Sequence, residues 1–284
     1  MIRIALPNKG RLAEGARELL ERAGLEIELR DRALQASLGG EFLALFVNAR
    51  DIPEFVADGA ADLGITGGDL VAESGRPVRT LLDLGFGRCR LAVAARDDSG
   101  IATIEHVPAG ARVATVFPNL TRAYFGRLGR AVTLVPVSGA AEMAPHLGVA
   151  DIIVDLVSTG STLKVNGLVE VATVLESAAL LIARADVADS YRRSVNELVA
   201  AVESVLRAQN KRYLMANVPR RALAELKRIL PGITGPTIVD VLDGGEFVAA
   251  HAVVDQRDIY RTIAELKQVG AEGILVTKIE RLMP

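Results

Sequence analysis

The sequence is poor in the residues that carry most recognisable chemistry. It has no tryptophan, one cysteine, three histidines and 4% aromatic residues. A single cysteine, Cys89, excludes an internal disulfide framework and reads as a packed thiol. His106, His146 and His251 lie far apart, none in a metal-ligand spacing or beside a nucleophile motif. Neither a soft-metal centre nor a histidine acid–base centre is expected. Net charge is −2 with no strongly basic block, and the few aromatics offer no stacking platform, so nucleic acid is not an expected partner. Half the residues are hydrophobic, yet no uncharged apolar run approaches the roughly 20 residues of a membrane span. The opening Met1-Ile-Arg-Ile-Ala-Leu-Pro-Asn-Lys-Gly10 lacks the apolar core and cleavage site of a signal peptide. The expectation is no membrane and a cytoplasmic location.

What is present is an alternation of strands and helices. The 284 residues suffice for two or three domains. Ile2 to Leu6 reads as a strand, Arg11 to Ala23 as a helix, Phe42 to Val47 as a strand. A helix capped by Asp51 carries Pro53 in its first turn, and Asp62 to Thr66 is a strand leading to a helix capped by Asp69. This order predicts mainly parallel sheets with helices on both faces. Gly85-Phe86-Gly87 reads as a hinge. Beyond it come a strand at Arg112 to Val116, a helix capped by Asn119, a strand at Val132 to Val135, a helix from Ser138 and a strand ending in Asp155. Val169 to Val174 and Ala179 to Ala183 lead back toward the first part, and Ser190 to Gln209 forms one amphipathic helix. From Tyr213 onward the order is β-α-β-β-α-β, the ferredoxin-like arrangement, with a turn at Asp243-Gly244-Gly245.

The most informative stretch is Glu142 to Leu163. An apolar run, Ile152-Ile-Val154, reaches Asp155 and opens into Ser158-Thr-Gly-Ser-Thr162. Small side chains around one glycine let backbone N–H groups approach a phosphate, and an acid before the loop suits a ribose diol or a metal. An ordinary strand-to-turn link with capping residues explains the same letters. Pro7-Asn8-Lys9-Gly10-Arg11 follows the first strand, where open α/β sheets place ligands, and its two cations suit a phosphorylated one. Arg50 with Thr66-Gly67-Gly68-Asp69 repeats the hydroxyl–glycine pattern at another strand end, and Arg122 stands at a helix start within reach of an anion. Together these describe two lobes with phosphate-friendly loops and no base or nucleophile, which favours transfer chemistry driven by positioning and electrostatics.

These residues resemble one family. Glu142, Gly148, Asp155, Thr159, Gly160, Thr162 and Leu163 fill, without a gap, the signature of the ATP phosphoribosyltransferases in their long, self-regulated form. Pro7 to Leu12, Asp62 to Asp69, Pro118 to Arg122, Pro231-Gly232, Pro236-Thr237 and Lys267 to Ala271 also match, so the resemblance spans essentially the whole chain, least tightly at Leu242 to Phe247. It implies a two-lobed, periplasmic-binding-protein-like α/β core followed by a ferredoxin-like, ACT-like domain. Lobe I would be residues 1–88 and 180–210, lobe II 89–179, and the regulatory domain 211–284. The implied reaction joins N1 of ATP's adenine to C1 of phosphoribosyl pyrophosphate (PRPP) with loss of pyrophosphate, the first step of histidine biosynthesis. Mg²⁺ would be held mainly through substrate phosphates. Asp155, Lys9 and Arg11 would be catalytic. Asp155 with Ser158, Thr159, Gly160, Ser161 and Thr162 would bind PRPP, and Arg50, Gly67 and Asp69 would serve ATP or pyrophosphate. Asn217, Thr237 and Gly273 would bind histidine as feedback inhibitor. The family also implies homodimers associating to hexamers with no separate regulatory subunit. A two-lobed solute-binding protein and a catalytically silent regulatory subunit are the alternatives; turnover of ATP and PRPP by the chain alone separates them.

Overall fold

The structure is a computed structural model that describes residues 1–27, 34–186, 191–241 and 245–283. Ser190 and the Asp243-Gly244 turn lie outside these residues. The chain divides into two compact units, Met1–Glu21 with Leu25–Asn196, and Arg22–Gly24 with Glu197–Pro284.

The first unit holds two sheets. In chain order its elements are β1 (Ile2–Pro7), α1 (Arg11–Arg22), β2 (Gln35–Ser37), β3 (Phe42–Val47), α2 (Ile52–Ala57), β4 (Leu63–Gly67), α3 (Gly68–Ser74) and β5 (Val78–Asp83). Then follow β6 (Cys89–Arg96), β7 (Arg112–Thr115), α4 (Pro118–Arg127), β8 (Thr133–Pro136), β9 (Ile152–Val157), α5 (Ser161–Val165), β10 (Leu168–Ser177) and β11 (Ala179–Arg184). The first sheet has the order β2-β3-β1-β4-β11-β5 and the second β10-β6-β9-β7-β8. We call them the sheets of lobe I and lobe II.

Each sheet is mixed rather than mainly parallel. β3-β1-β4 and β9-β7-β8 are parallel, while β2, β11, β5, β6 and β10 pair antiparallel. Apart from β2, an antiparallel edge strand on β3, the difference arises where the chain changes sheets, because the strands flanking the crossings turn back on their neighbours. β6 is buried on both faces. Leu91, Val93 and Ala95 join Phe117 and Phe125 in one core, and Ala92 and Ala94 join Ile153, Leu163 and Leu168 in another. That two-sided burial explains its unbroken apolar run. The helix expected from Ser138 is a single 3₁₀ turn, Ala141–Met143, entered through Ala140 at φ +49°.

The crossing between the lobes is tied tightly. The Leu84 N–H donates to the Ala179 carbonyl, and the Ala179 N–H to the Phe86 carbonyl, both at 2.9 Å. The Phe86 ring lies against α1 at Gly15, where a Cβ would come within 2.4 Å of it. Only a residue without a side chain allows that approach.

α6 (Arg192–Ala208) begins at the end of the first unit and leads in the second to β12 (Lys211–Pro219), α7 (Leu223–Ile229), β13 (Thr237–Asp240), β14 (Phe247–Asp255), α8 (Ile259–Gln268) and β15 (Glu272–Lys278). The antiparallel order β13-β14-β12-β15 is the ferredoxin-like one. Along β14 buried and half-buried residues alternate strictly. Its buried side packs with Leu226, Ile229 and Leu266 from the two helices, while Tyr213, Met215, Asn217 and His251 lie on the other face.

Candidate active site

The site is built around the end of β9. Ile152, Ile153 and Val154 are fully buried between β6 and β7, and Asp155 sits opposite Ala92. The strand runs two residues beyond Asp155, to Val157, before the loop begins. At the loop's apex Gly160 takes φ +78°, a left-handed conformation, and starts α5. The Thr159 and Ser161 hydroxyls lie 2.8 Å apart, and the Ser161 N–H donates to Thr159 Oγ1 at 3.4 Å. Residues 155–163, with Glu142 and Arg11, line a cavity of about 310 Å³. Arg11 comes from the first turn of α1 in lobe I, and its Nη2 donates to Ser158 Oγ at 2.8 Å.

Asp155 is half-buried, and its Oδ1 accepts the Leu156 N–H at 2.8 Å. Burial pushes its carboxyl above the ordinary carboxylate range; the Leu156 bond and Arg50 oppose the shift, and Glu142 adds to it. Two carboxylates therefore face one cavity, beside a hydroxyl-rich loop and a guanidinium.

A larger cavity of about 510 Å³ is bordered by Ser158, Arg88, Cys89, Arg90 and Ser177. Asp69 is 4% exposed beside it and does not cap its own helix. Gly67 is the N-cap, and Asp69 instead exchanges two hydrogen bonds with Ser177: its N–H donates to Ser177 Oγ at 2.9 Å, and the hydroxyl donates to its Oδ1 at 2.6 Å. Burial, with help from Asp69, pushes the Cys89 thiol up, so it is not poised as a thiolate. Arg90 is held in a bidentate pair by Glu170.

On the other side of the cleft, lobe I grips the turn between β7 and α4. Arg50 Nη1 donates to the Val116 carbonyl at 3.0 Å, and its guanidinium lies 5.5 Å from the Phe117 ring centroid. Asn119 is not the N-cap of α4. That position is Phe117, with Pro118 at N1. The capping group is Glu73 at the end of α3, whose two carboxylate oxygens accept the Asn119 and Leu120 N–H groups at 2.9 Å each. Arg122 donates to Asn119 Oδ1 at 3.2 Å rather than to an anion at the helix start.

A family model described as ATP phosphoribosyltransferase matches residues 48–204, more than half of the chain. The chain belongs to the ATP phosphoribosyltransferase family. A second model, HisG, C-terminal domain, matches residues 208–281. The ATP phosphoribosyltransferase of Gemmatimonas aurantiaca is 60% identical over 294 aligned positions covering all of both chains. Among solved structures, a chain of the ATP phosphoribosyl transferase (HisG:HisZ) complex from Thermotoga maritima is 28% identical at a TM-score of 0.65. It is covered over 99% of its length by 73% of this chain. About a quarter of this chain has no counterpart there, the size of its ferredoxin-like unit. A likeness of fold alone, with a TM-score of 0.51 at 15% identity, links 74% of the chain to 84% of Tv2483 bound to L-arginine. The core is thus periplasmic-binding-protein-like, and the chain is a pentosyltransferase of the first step of histidine biosynthesis.

Among the residues expected from the sequence to serve an ATP phosphoribosyltransferase, Asp155, Ser158 to Thr162 and Arg11 line one cavity. Arg50 and Asp69 are committed to Val116 and Ser177, and Lys9 is exposed on the turn after β1. Asp151, which begins the approach to β9, is not in the cavity lining; Arg112 holds it through Nη2 at 2.7 Å and also bonds the Gly148 carbonyl. Glu73, Ser177 and the Arg90–Glu170 pair had no sequence signal, because their partners lie 46, 108 and 80 residues away. No histidine lines the cavity: His146 bonds the Asn166 carbonyl and His251 the Tyr213 hydroxyl. Among the described residues no helix is long and apolar enough to cross a membrane.

Proposed function

We propose that ATP and PRPP meet in the cleft between the two lobes, with Ser158, Thr159, Gly160, Ser161 and Thr162 holding the 5′-phosphate of PRPP. The observation that carries this is the convergence of that loop with Asp155, Glu142 and Arg11 on one cavity. In the reaction, adenine N1 forms a bond to C1 of the ribosyl group as the C1–O bond to pyrophosphate breaks, and the bonding pair leaves with pyrophosphate. A ring nitrogen attacks and the leaving group is already activated, so no strong base is required. The catalytic burden is orientation and charge. Lys9 and Arg11 serve the polyphosphates, while Arg50, Gly67 and Asp69 on the same lobe shape the ATP or pyrophosphate side of the cleft, Arg50 through Val116 and Asp69 through Ser177. Asp155, costly to keep ionised where it sits, gains most from ribose hydroxyl donors or from positive charge developing at C1. Mg²⁺, a hard ion, would draw most ligands from substrate phosphates and water, and Asp155 and Glu142 supply the oxygen chemistry to complete the set. When bound it neutralises the departing pyrophosphate.

We assign residues 1–88 and 180–210 to lobe I, 89–179 to lobe II and 211–284 to a regulatory domain that binds histidine through Asn217, Thr237 and Gly273. Asn217 on β12 and Thr237 on β13 belong to the sheet face away from the helices, and Gly273 adjoins Asn217. With its own C-terminal domain the enzyme needs no separate regulatory subunit. It works in the cytoplasm as dimers that associate to hexamers.

Steady-state kinetics of Thr162→Val test the loop assignment. Loss of a hydroxyl donor to a charged phosphate should raise the PRPP KM by about tenfold or more. An unchanged PRPP KM would remove the loop from the binding site.

A further inference from the structure

Lobe I holds the turn that opens α4 by several independent contacts, and the hydrogen-bond accounting of that turn is complete. A helix leaves its first N–H groups without intrahelical partners. Here Pro118 at N1 has none to offer, and the first intrahelical bond runs from the Thr121 N–H to the Phe117 carbonyl at 3.0 Å. The orphan donors of Asn119 and Leu120 both go to the Glu73 carboxylate, and Asn119 Nδ2 donates to the Glu73 carbonyl at 3.0 Å. The carboxylate also sits at the positive end of a ten-residue helix. Leu70, one turn earlier on α3, packs against the lobe II core, and Arg50 holds the preceding carbonyl, Val116.

We propose that Glu73 is an interlobe latch and a positioning residue for the transfer. It touches no reacting atom. It fixes the turn between β7 and α4 against α3, and so sets the separation between the phosphate loop of lobe II and the lobe I cations across the cleft. This rests on the reading that the two substrates meet in that cleft. When reacting atoms are held from two bodies, a misplacement of about 1 Å costs about 100-fold in rate while each body keeps its own ligand. Loss of the latch therefore falls on kcat rather than on the PRPP KM.

The test compares Glu73→Ala, Glu73→Gln and Glu73→Asp in the full-length enzyme by two measurements. Hydrogen exchange without substrates reads the latch directly: the Asn119 and Leu120 amides should exchange about tenfold faster or more in Glu73→Ala. Glu73→Gln, with one carbonyl oxygen left to accept, should release one of the two. Kinetics should show kcat falling by about tenfold or more in Glu73→Ala, less in Glu73→Gln, with the PRPP KM within about twofold of the parent. If Glu73→Ala does not fold, Glu73→Gln and Glu73→Asp carry the same comparison. Unchanged exchange would remove the latch, and faster exchange with unchanged kcat would reduce Glu73 to a helix cap. Thr162→Val measured alongside separates the two readings: a raised PRPP KM there with silent Glu73 variants sinks only the latch, whereas silence in both sinks the cleft assignment.

Discussion

Replacing Gly160 with alanine should weaken PRPP binding through backbone strain alone. Gly160 holds φ +78° at the apex of the loop, where an L side chain is strained. The space around it is open: a Cβ would lie 3.9 Å from both Arg90 Nη2 and Val157 Cγ1, ordinary contact distances. The cost is thus conformational rather than steric, about 1–2 kcal/mol for a non-glycine residue in the left-handed region. That energy corresponds to about a 5- to 30-fold loss, since about 1.4 kcal/mol is tenfold. The loop is exposed and short, so the loss should appear in the PRPP KM with little change in the melting temperature. Gly160→Asn should lie between glycine and alanine, because asparagine tolerates this conformation better. Initial-rate kinetics of both variants over a PRPP titration read the effect. A Gly160→Ala enzyme with a PRPP KM within about twofold of the parent would show that the left-handed apex is not the conformation that binds.

Asp155→Asn should abolish most activity yet raise stability at neutral pH. The folded pKa lies above the unfolded value, so the wild type loses stability as pH rises from about 3.9 through the raised value, and the melting-temperature gain of the variant should vanish in acid. Asp151→Ala should do the reverse, lowering stability by about 1 kcal/mol with PRPP kinetics unchanged. Arg112 holds the Asp151 pKa below its ordinary value, so this contribution is present at neutral pH and is lost as pH falls through the depressed value; urea unfolding at two pH values reads it. Thr237→Val should weaken histidine inhibition by about 3- to 10-fold with kcat unchanged; equal inhibition would move the effector site elsewhere.

The strand-to-loop junction after β9, to which we assign the phosphate, was legible because everything that defines it is local: a buried run, an acid, a glycine and hydroxyls close together in the chain. The ferredoxin-like order was legible for the same reason, from the alternation along β14 and the breaks that bound each element. Sheet polarity was not, since β6 is apolar on both faces and its letters carry no direction. Caps were misassigned where the partner was distant. Asp69 looked like a capping acid and Asn119 like a capping amide. Yet Ser177 claims Asp69 from the returning crossing, and Glu73 supplies both oxygens to α4 from the other lobe. An acid near the end of a short helix such as α3 reads as solvated charge until the fold places a helix start beside it.

The seat of Phe86 on Gly15 has a bearing on how substrate enters. The same helix that receives this ring carries Arg11 one turn earlier, and Leu12 meets Gly87 of the crossing. That end of α1 is anchored at the crossing between the lobes and belongs to lobe I. The hydrogen bond from Arg11 to Ser158 spans the two lobes, so it holds only at their present separation. On the proposed reading, a PRPP phosphate that reaches the loop competes for a guanidinium already engaged by Ser158.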